Sequence, residues 1–140
     1  MVGLGAGARS YTSKVHYCTE YAVGRVGIQA ILDDFVSRPA GHHASAWYGC
    51  KLGPEERKRR YLIKSLLRAD GLDEAAYHEW GGSLVMEDFP WLSELLEHEL
   101  ALRQDGVFRL TSTGLEWSDA IGPWLYSDEM KERMDEYELA

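Results

Sequence analysis

The chain opens on a run of glycines, residues 1–12 reading MVGLGAGARSYT, and this run limits the fold more than any other segment. Glycine accepts positive φ and close backbone approach, so Gly3, Gly5 and Gly7 predict a tight turn after a short strand over residues 1–4. Such a turn needs a strand to aim it at a ligand. That strand is unpaired with anything upstream, so the opening is expected to be an internal piece of a larger protein, with its strand partners elsewhere. Residues 1–23 as a whole, rich in Ser, Thr and Tyr, read as dependent on something outside them.

From Gly24 the pattern turns helical. Val26, Ile28, Ala30, Ile31, Leu32, Phe35 and Val36 hold the three-and-four spacing of one buried face, with Asp33 and Asp34 pointing away, and Pro39 ends the run. Residues 37–50 mix small and turn-forming types without a period and read as a loop or linker. The chain is therefore divided into residues 1–50 and residues 51–140.

The second part is mainly α with a small β-hairpin. Pro54 suits a first helical position, Glu55 and Glu56 complement its dipole, and Leu62, Ile63, Leu66 and Leu67 form an apolar stripe opposite Arg57, Lys58, Arg60 and Lys64. Asp73 caps a short helix that Gly81 and Gly82 stop. Phe89, Leu92, Leu95, Leu96 and Leu100 predict a third helix, with Asp88 as its cap and Pro90 in its first turn. Asp105-Gly106 predicts a hairpin turn between two short strands. Thr113 and Glu116 form a capping box before a helix bearing Trp117, Ala120, Ile121, Trp124 and Leu125, kinked at Gly122-Pro123. Ser127 caps a final acidic helix with Met130, Met134 and Tyr137 on one side. This order, helix, short helix, helix, hairpin, helix, is winged-helix-like.

Charge and cysteine usage narrow the function. Fifteen Lys and Arg against 23 Asp and Glu leave a formal charge of -8. The later helices, which would enter a groove, carry Glu94, Glu97, Glu99, Glu116 and Asp119, so nucleic acid is not the expected partner. Two cysteines, Cys18 and Cys50, make no disulfide framework. With no charged-then-apolar leader and no apolar run of the ~20 residues that cross a bilayer, a cytoplasmic setting without membrane insertion is expected. His16, Cys18, His42, His43 and Cys50 lack the paired spacings of metal ligands, and no metal site is assigned. Gly3, Gly5 and Ala8 satisfy a loose G-x-G-x-x-A, but no helix follows as a dinucleotide site requires. Tyr17, Tyr21 and the carboxylates of the last helix are acid-base types without a defined cleft, so no catalytic residue is assigned.

Residues 3–11 (GLGAGARSY), 56–67 (ERKRRYLIKSLL) and 109–119 (RLTSTGLEWSD) together resemble, in order, three segments of the oxygen-independent coproporphyrinogen III oxidase-like radical S-adenosylmethionine (SAM) family. Residues 119–127 (DAIGPWLYS) look closer to an oxidase-like branch than to the haem-biosynthetic enzyme. The resemblance implies the C-terminal portion of such an oxidoreductase: a remnant strand and helix of the radical SAM barrel, then a winged-helix-like domain. It implies a missing N-terminal barrel as partner and a porphyrinogen-like substrate in the full-length protein, with SAM and a [4Fe-4S] cluster as its cofactors. Gly3, Gly5, Gly7 and Ala8 would let backbone approach SAM, and Arg9 and Ser10 would bind a substrate carboxylate. The three-cysteine C-x-x-x-C-x-x-C motif that holds the cluster is absent, so no catalysis is expected from this chain alone. The competing expectation is a stand-alone winged-helix-like module for protein interaction or nucleic-acid binding, with Val2, Leu4, Val15, Tyr17 and Tyr21 forming an exposed apolar surface.

Overall fold

The computed structural model describes residues 1–19, 22 and 24–138, the last two without their side chains. Tyr21, and the Tyr137 side chain expected beside Met130 and Met134, lie outside the described residues. The described chain is mainly helical, with two small antiparallel sheets of three strands each. It divides into two compact units, Met1–Arg57 and Lys58–Ala140. No helix among the described residues is long and apolar enough to cross a membrane.

The first unit is built on a sheet that periodicity did not suggest. Strands β1 (Arg9–Tyr11), β2 (Val15–Cys18) and β3 (Tyr48–Lys51) pair antiparallel in that order, with Ser10 opposite Tyr17 and Tyr17 opposite Gly49. Between β2 and β3 run helix α1 (Arg25–Ser37) and a 3-10 helix (Ala40–Ala44). The stretch 37–50 is thus structured: it holds the 3-10 helix and most of β3, and the 50/51 position falls inside that strand. Small residues allowed it, because Gly49 has no side chain to collide with the His16 carbonyl across the pair.

Helix α1 forms where its pattern predicted but buries none of its residues. Val26 and Val36 are more than four-fifths exposed while Ile31 and Phe35 are half-buried, so the expected apolar face is only partly covered among the described residues. Periodicity states which residues share a face, and something else must cover it.

The second unit holds the core. Helix α2 (Pro54–Leu66) starts at its proline and crosses the division between the units, supplying Leu62 and Leu66. These pack with Leu72, Tyr77, Phe89, Leu92, Phe108 and Leu125, all essentially inaccessible. Each such side chain contributes roughly 1.5–3 kcal/mol by leaving water. Strand β4 (Leu72–Asp73) pairs with one arm of the hairpin β5 (Ala101–Gln104) and β6 (Val107–Leu110), so the expected two-stranded wing is a three-stranded sheet in the order β4-β6-β5. Asp105 and Gly106 take φ of 54° and 76° at the turn, as a tight hairpin of the twisted kind demands.

Asp73 caps α3 (Glu74–Gly81) by accepting from the Ala76 amide at 2.9 Å, and Gly82 closes it in the left-handed region. The third helix is broken into α4 (Val85–Asp88), a 3-10 turn (Pro90–Leu92) and α5 (Ser93–Glu97). Proline at 90 disfavours helical geometry at Phe89, which stands at φ -134° and ψ 67°. The next helix also divides, into α6 (Ser112–Glu116) and α7 (Ser118–Trp124), and its cap is Thr111, not Thr113: the Thr111 hydroxyl accepts from Gly114. Pro123 sits near the end of α7. Ser127 caps α8 (Asp128–Glu138) through the Met130 amide.

Candidate functional site

The glycine-rich opening folds as a hairpin against its own following strand. Met1 and Tyr11 exchange two backbone hydrogen bonds, at 2.9 and 3.0 Å, so the opening lies against β1, but residues 1–4 do not form the expected strand. Gly5 and Gly7 make the reversal, with φ of 95° and 73°, and Ala8 closes it by donating to the Gly5 carbonyl. A side chain at either glycine would be strained, by roughly 1–2 kcal/mol in the left-handed region. Gly3 is required for a different reason: a Cβ there would stand 2.6 Å from the Arg9 carbonyl. The Gly3 amide donates instead to Ser10 Oγ at 3.0 Å.

This hairpin forms one wall of a cleft of about 520 Å3, contained within the first unit. Gly3, Gly5, Ala8 and Ser10 line it. Gly7 and Arg9 are exposed and do not. Adjacent residues of a strand send their side chains to opposite faces, so Arg9 and Ser10 do not converge on one group. Ser10 is the buried member, 3% exposed. Its Oγ spends a lone pair on Gly3 and keeps its proton to donate.

The opposite wall comes from the end of α1 and the segment after it. His42 and Trp47 stack with ring centres 4.6 Å apart and planes 8° from parallel, and Trp47 Nε1 donates to the His42 carbonyl at 3.1 Å. Arg38 Nη1 lies 3.1 Å from His42 Nε2. A guanidinium only donates, so that contact requires Nε2 to be the acceptor and places the ring proton on Nδ1. Arg38 also pairs with Asp34, one turn back on α1. His43 packs on Phe35 at 4.6 Å. These histidines read as solvated loop residues in the sequence; the signal for them was an aromatic pair, Trp47 and Tyr48, within a stretch otherwise made of small residues. Thr19 Oγ1, also in the lining, is buried without a hydrogen-bond partner among the described residues.

The second unit carries a polar cluster of another character. Lys58 Nζ, from α2, donates to Asp88 Oδ1 at 2.8 Å and to Ser83 Oγ at 2.6 Å. Ser83 and Tyr77 both donate to Asp88 Oδ2, at 2.6 and 2.7 Å. Burial pushes the Asp88 carboxyl up, but hydrogen bonds from Lys58, Ser83 and Tyr77, with the Lys58 charge, outweigh it and hold it below its ordinary value. Burial, then the hydrogen bond and charge of Asp88, push the Tyr77 phenol far above its ordinary value. A serine beside a lysine suggests an activated nucleophile, yet Lys58 Nζ is engaged by Asp88 Oδ1 and the Ser83 hydroxyl already donates to Asp88 Oδ2. The cluster fastens α2 to the turn between α3 and α4.

Among the described residues no group of three His, Cys, Asp or Glu side chains gathers as metal ligands. Neither Cys18 nor Cys50 is in a disulfide. Two thiols do not fit a [4Fe-4S] cluster, which takes its protein ligands from at least three in radical SAM chemistry. No protein-family model, curated protein or solved structure matches this chain.

Proposed function

We propose that the chain is the C-terminal portion of a coproporphyrinogen III oxidase-like radical SAM oxidoreductase, and that its part in the reaction is to cover and position SAM or a porphyrinogen-like substrate. On this reading residues 1–50 belong to the edge of the barrel and residues 51–140 form a winged-helix-like domain. The cluster and the bond-breaking chemistry belong to the N-terminal barrel, and this chain alone is not catalytic. The setting is cytoplasmic.

The resemblance of three segments in family order motivates the reading. The observation that carries it is that the hairpin gathers Gly3, Gly5, Ala8 and Ser10, four of the six positions the resemblance assigns to ligands, along one cleft. Backbone without side chains lets a ligand approach closely, and a buried hydroxyl at its edge supplies direction. Gly7 serves by shaping the turn, and Arg9 offers its charge outside the cleft. The exposed apolar face of α1 suits the remainder of a barrel as its cover.

The test is made in the protein that joins this chain to a cluster-bearing barrel. Gly5→Val and Ser10→Ala are expected to weaken SAM or substrate binding at least tenfold, with cluster content unchanged. Unaltered affinity in both variants overturns the positioning role. A coding sequence upstream of Met1 without an in-frame C-x-x-x-C-x-x-C overturns the assignment for this polypeptide and leaves the interaction-module reading.

A further inference from the structure

We infer that the cleft of the first unit binds a planar heteroaromatic ring, taken face-on by the His42–Trp47 stack and held at its edge by the hydroxyls of Ser10 and Thr19. The stack is the first reason. His42 covers one face of the indole at 4.6 Å, while Trp47 remains 65% exposed, so its second face is uncovered in the lining of the cleft. The platform is also stiffened: Trp47 Nε1 is tied to the His42 carbonyl, and Arg38 fixes the imidazole through Nε2. A ring held in one plane before a ligand arrives loses little freedom on binding, which is how aromatic platforms gain affinity.

The second reason lies in the facing wall. Gly3, Gly5 and Ala8 leave room for a flat body, and the volume of about 520 Å3 suits a ligand of one fused ring system with a substituent. A buried hydroxyl without a partner among the described residues, Thr19 Oγ1, costs free energy until something bonds to it. Ser10, nearly inaccessible, retains a proton to donate. Ring nitrogens or carbonyls on the ligand edge satisfy both. An aliphatic ligand would use neither the stack nor the hydroxyls, an anion without a ring would leave the stack unused, and Arg38 already carries the Asp34 carboxylate.

This site is complete within Met1–Arg57 and does not rest on the proposed enzyme reading. The experiment uses the 140-residue chain, with adenosine and protoporphyrin IX as two planar probes of different origin, followed by ligand-observed NMR and equilibrium dialysis. Saturable binding of either probe is expected, weakened about tenfold or more by Trp47→Ala, as loss of a base-stacking aromatic does, and largely restored by Trp47→Phe. Trp117→Ala, at a tryptophan of the other unit that is 59% exposed, should leave it unchanged. Thr19→Val, which keeps the shape and removes the hydroxyl, should weaken binding several-fold. Preference for adenosine identifies a nucleobase as the source, and preference for protoporphyrin a tetrapyrrole. Absence of saturable binding to both, or equal losses in Trp47→Ala and Trp117→Ala, overturns the inference. Binding lost with Trp47, together with unchanged SAM affinity in the Gly5→Val and Ser10→Ala enzyme, would sink the enzyme reading alone.

Discussion

Lys58 Nζ and Asp88 Oδ1, 30 residues apart in the chain, stand 2.8 Å from each other with about three-quarters of each side chain withdrawn from solvent. The pair sits at the centre of a four-residue network and joins α2 to the end of α4. Removing one partner leaves the other charge partly buried and unmatched. Lys58→Met is expected to cost about 2–3 kcal/mol, below the value for a fully buried pair because water still reaches this one. Chemical denaturation checks it; a loss under 0.5 kcal/mol on the same scale as ordinary surface changes would show that the network is ornamental.

Acid stability follows from Asp88. Its carboxyl is held below the ordinary value in the folded state, so it contributes stability above the unfolded value of about 3.9, and that contribution is lost as pH falls through the lower folded value. Asp88→Asn should therefore be less stable at neutral pH and show a flatter stability curve below about pH 4. Urea midpoints from pH 2 to 7 for both proteins would expose the difference, and parallel curves would contradict it.

Tyr77 acts at the other end of the scale. Its phenol is raised, so the folded state keeps its proton after the unfolded chain has begun to lose it, near pH 10. Its contribution is complete below that value and is lost as pH climbs toward the folded one. Tyr77→Phe should remove this alkaline sensitivity while costing about 1–2 kcal/mol at neutral pH, because Asp88 loses a hydrogen bond.

Gly114 and Gly53 separate close approach from mere turn preference. A Cβ at Gly114 would run into the Leu100 carbonyl, whereas one at Gly53 meets nothing within 4 Å. Gly114→Ala is expected to destabilise by about 2–3 kcal/mol through displaced backbone, and Gly53→Ala by less than about 0.5 kcal/mol. Melting temperatures of the two proteins, compared side by side, decide this.

Arg59 is nearly buried, donates to the Leu125 carbonyl at 3.0 Å and lies over the rings of Phe89 and Trp91 at 5.3 and 5.5 Å. Arg59→Lys keeps the charge but loses the flat fork that allows stacking and hydrogen bonding together. It should cost about 1–3 kcal/mol. A lysine variant as stable as the parent would show that charge alone matters.

Local devices were readable because their physics is local. Asp73 and Ser127 cap helices, Asp105-Gly106 turns a hairpin, and Pro54 begins α2, each through atoms within a few residues. Asp88 illustrates the opposite. In the sequence it is a cap candidate before Pro90, and in the fold its carboxylate belongs to Lys58, Ser83 and Tyr77. For α1 the face was legible and its cover was not. For the cleft, the glycine wall was legible and the His42–Trp47 wall was hidden in a stretch that reads as loop.

What the residues determined unaided was where the backbone can turn, cap and present an apolar stripe, since φ preference and side-chain-to-amide bonds act within one turn of chain. Only tertiary structure decided that β3 returns to β2, that Lys58 meets Asp88, and that an indole and an imidazole stack beside a glycine hairpin. The sheet pairing, the ion pair and the placing of that stack beside the glycines join segments separated by tens of residues, and their energies depend on which surfaces leave water together.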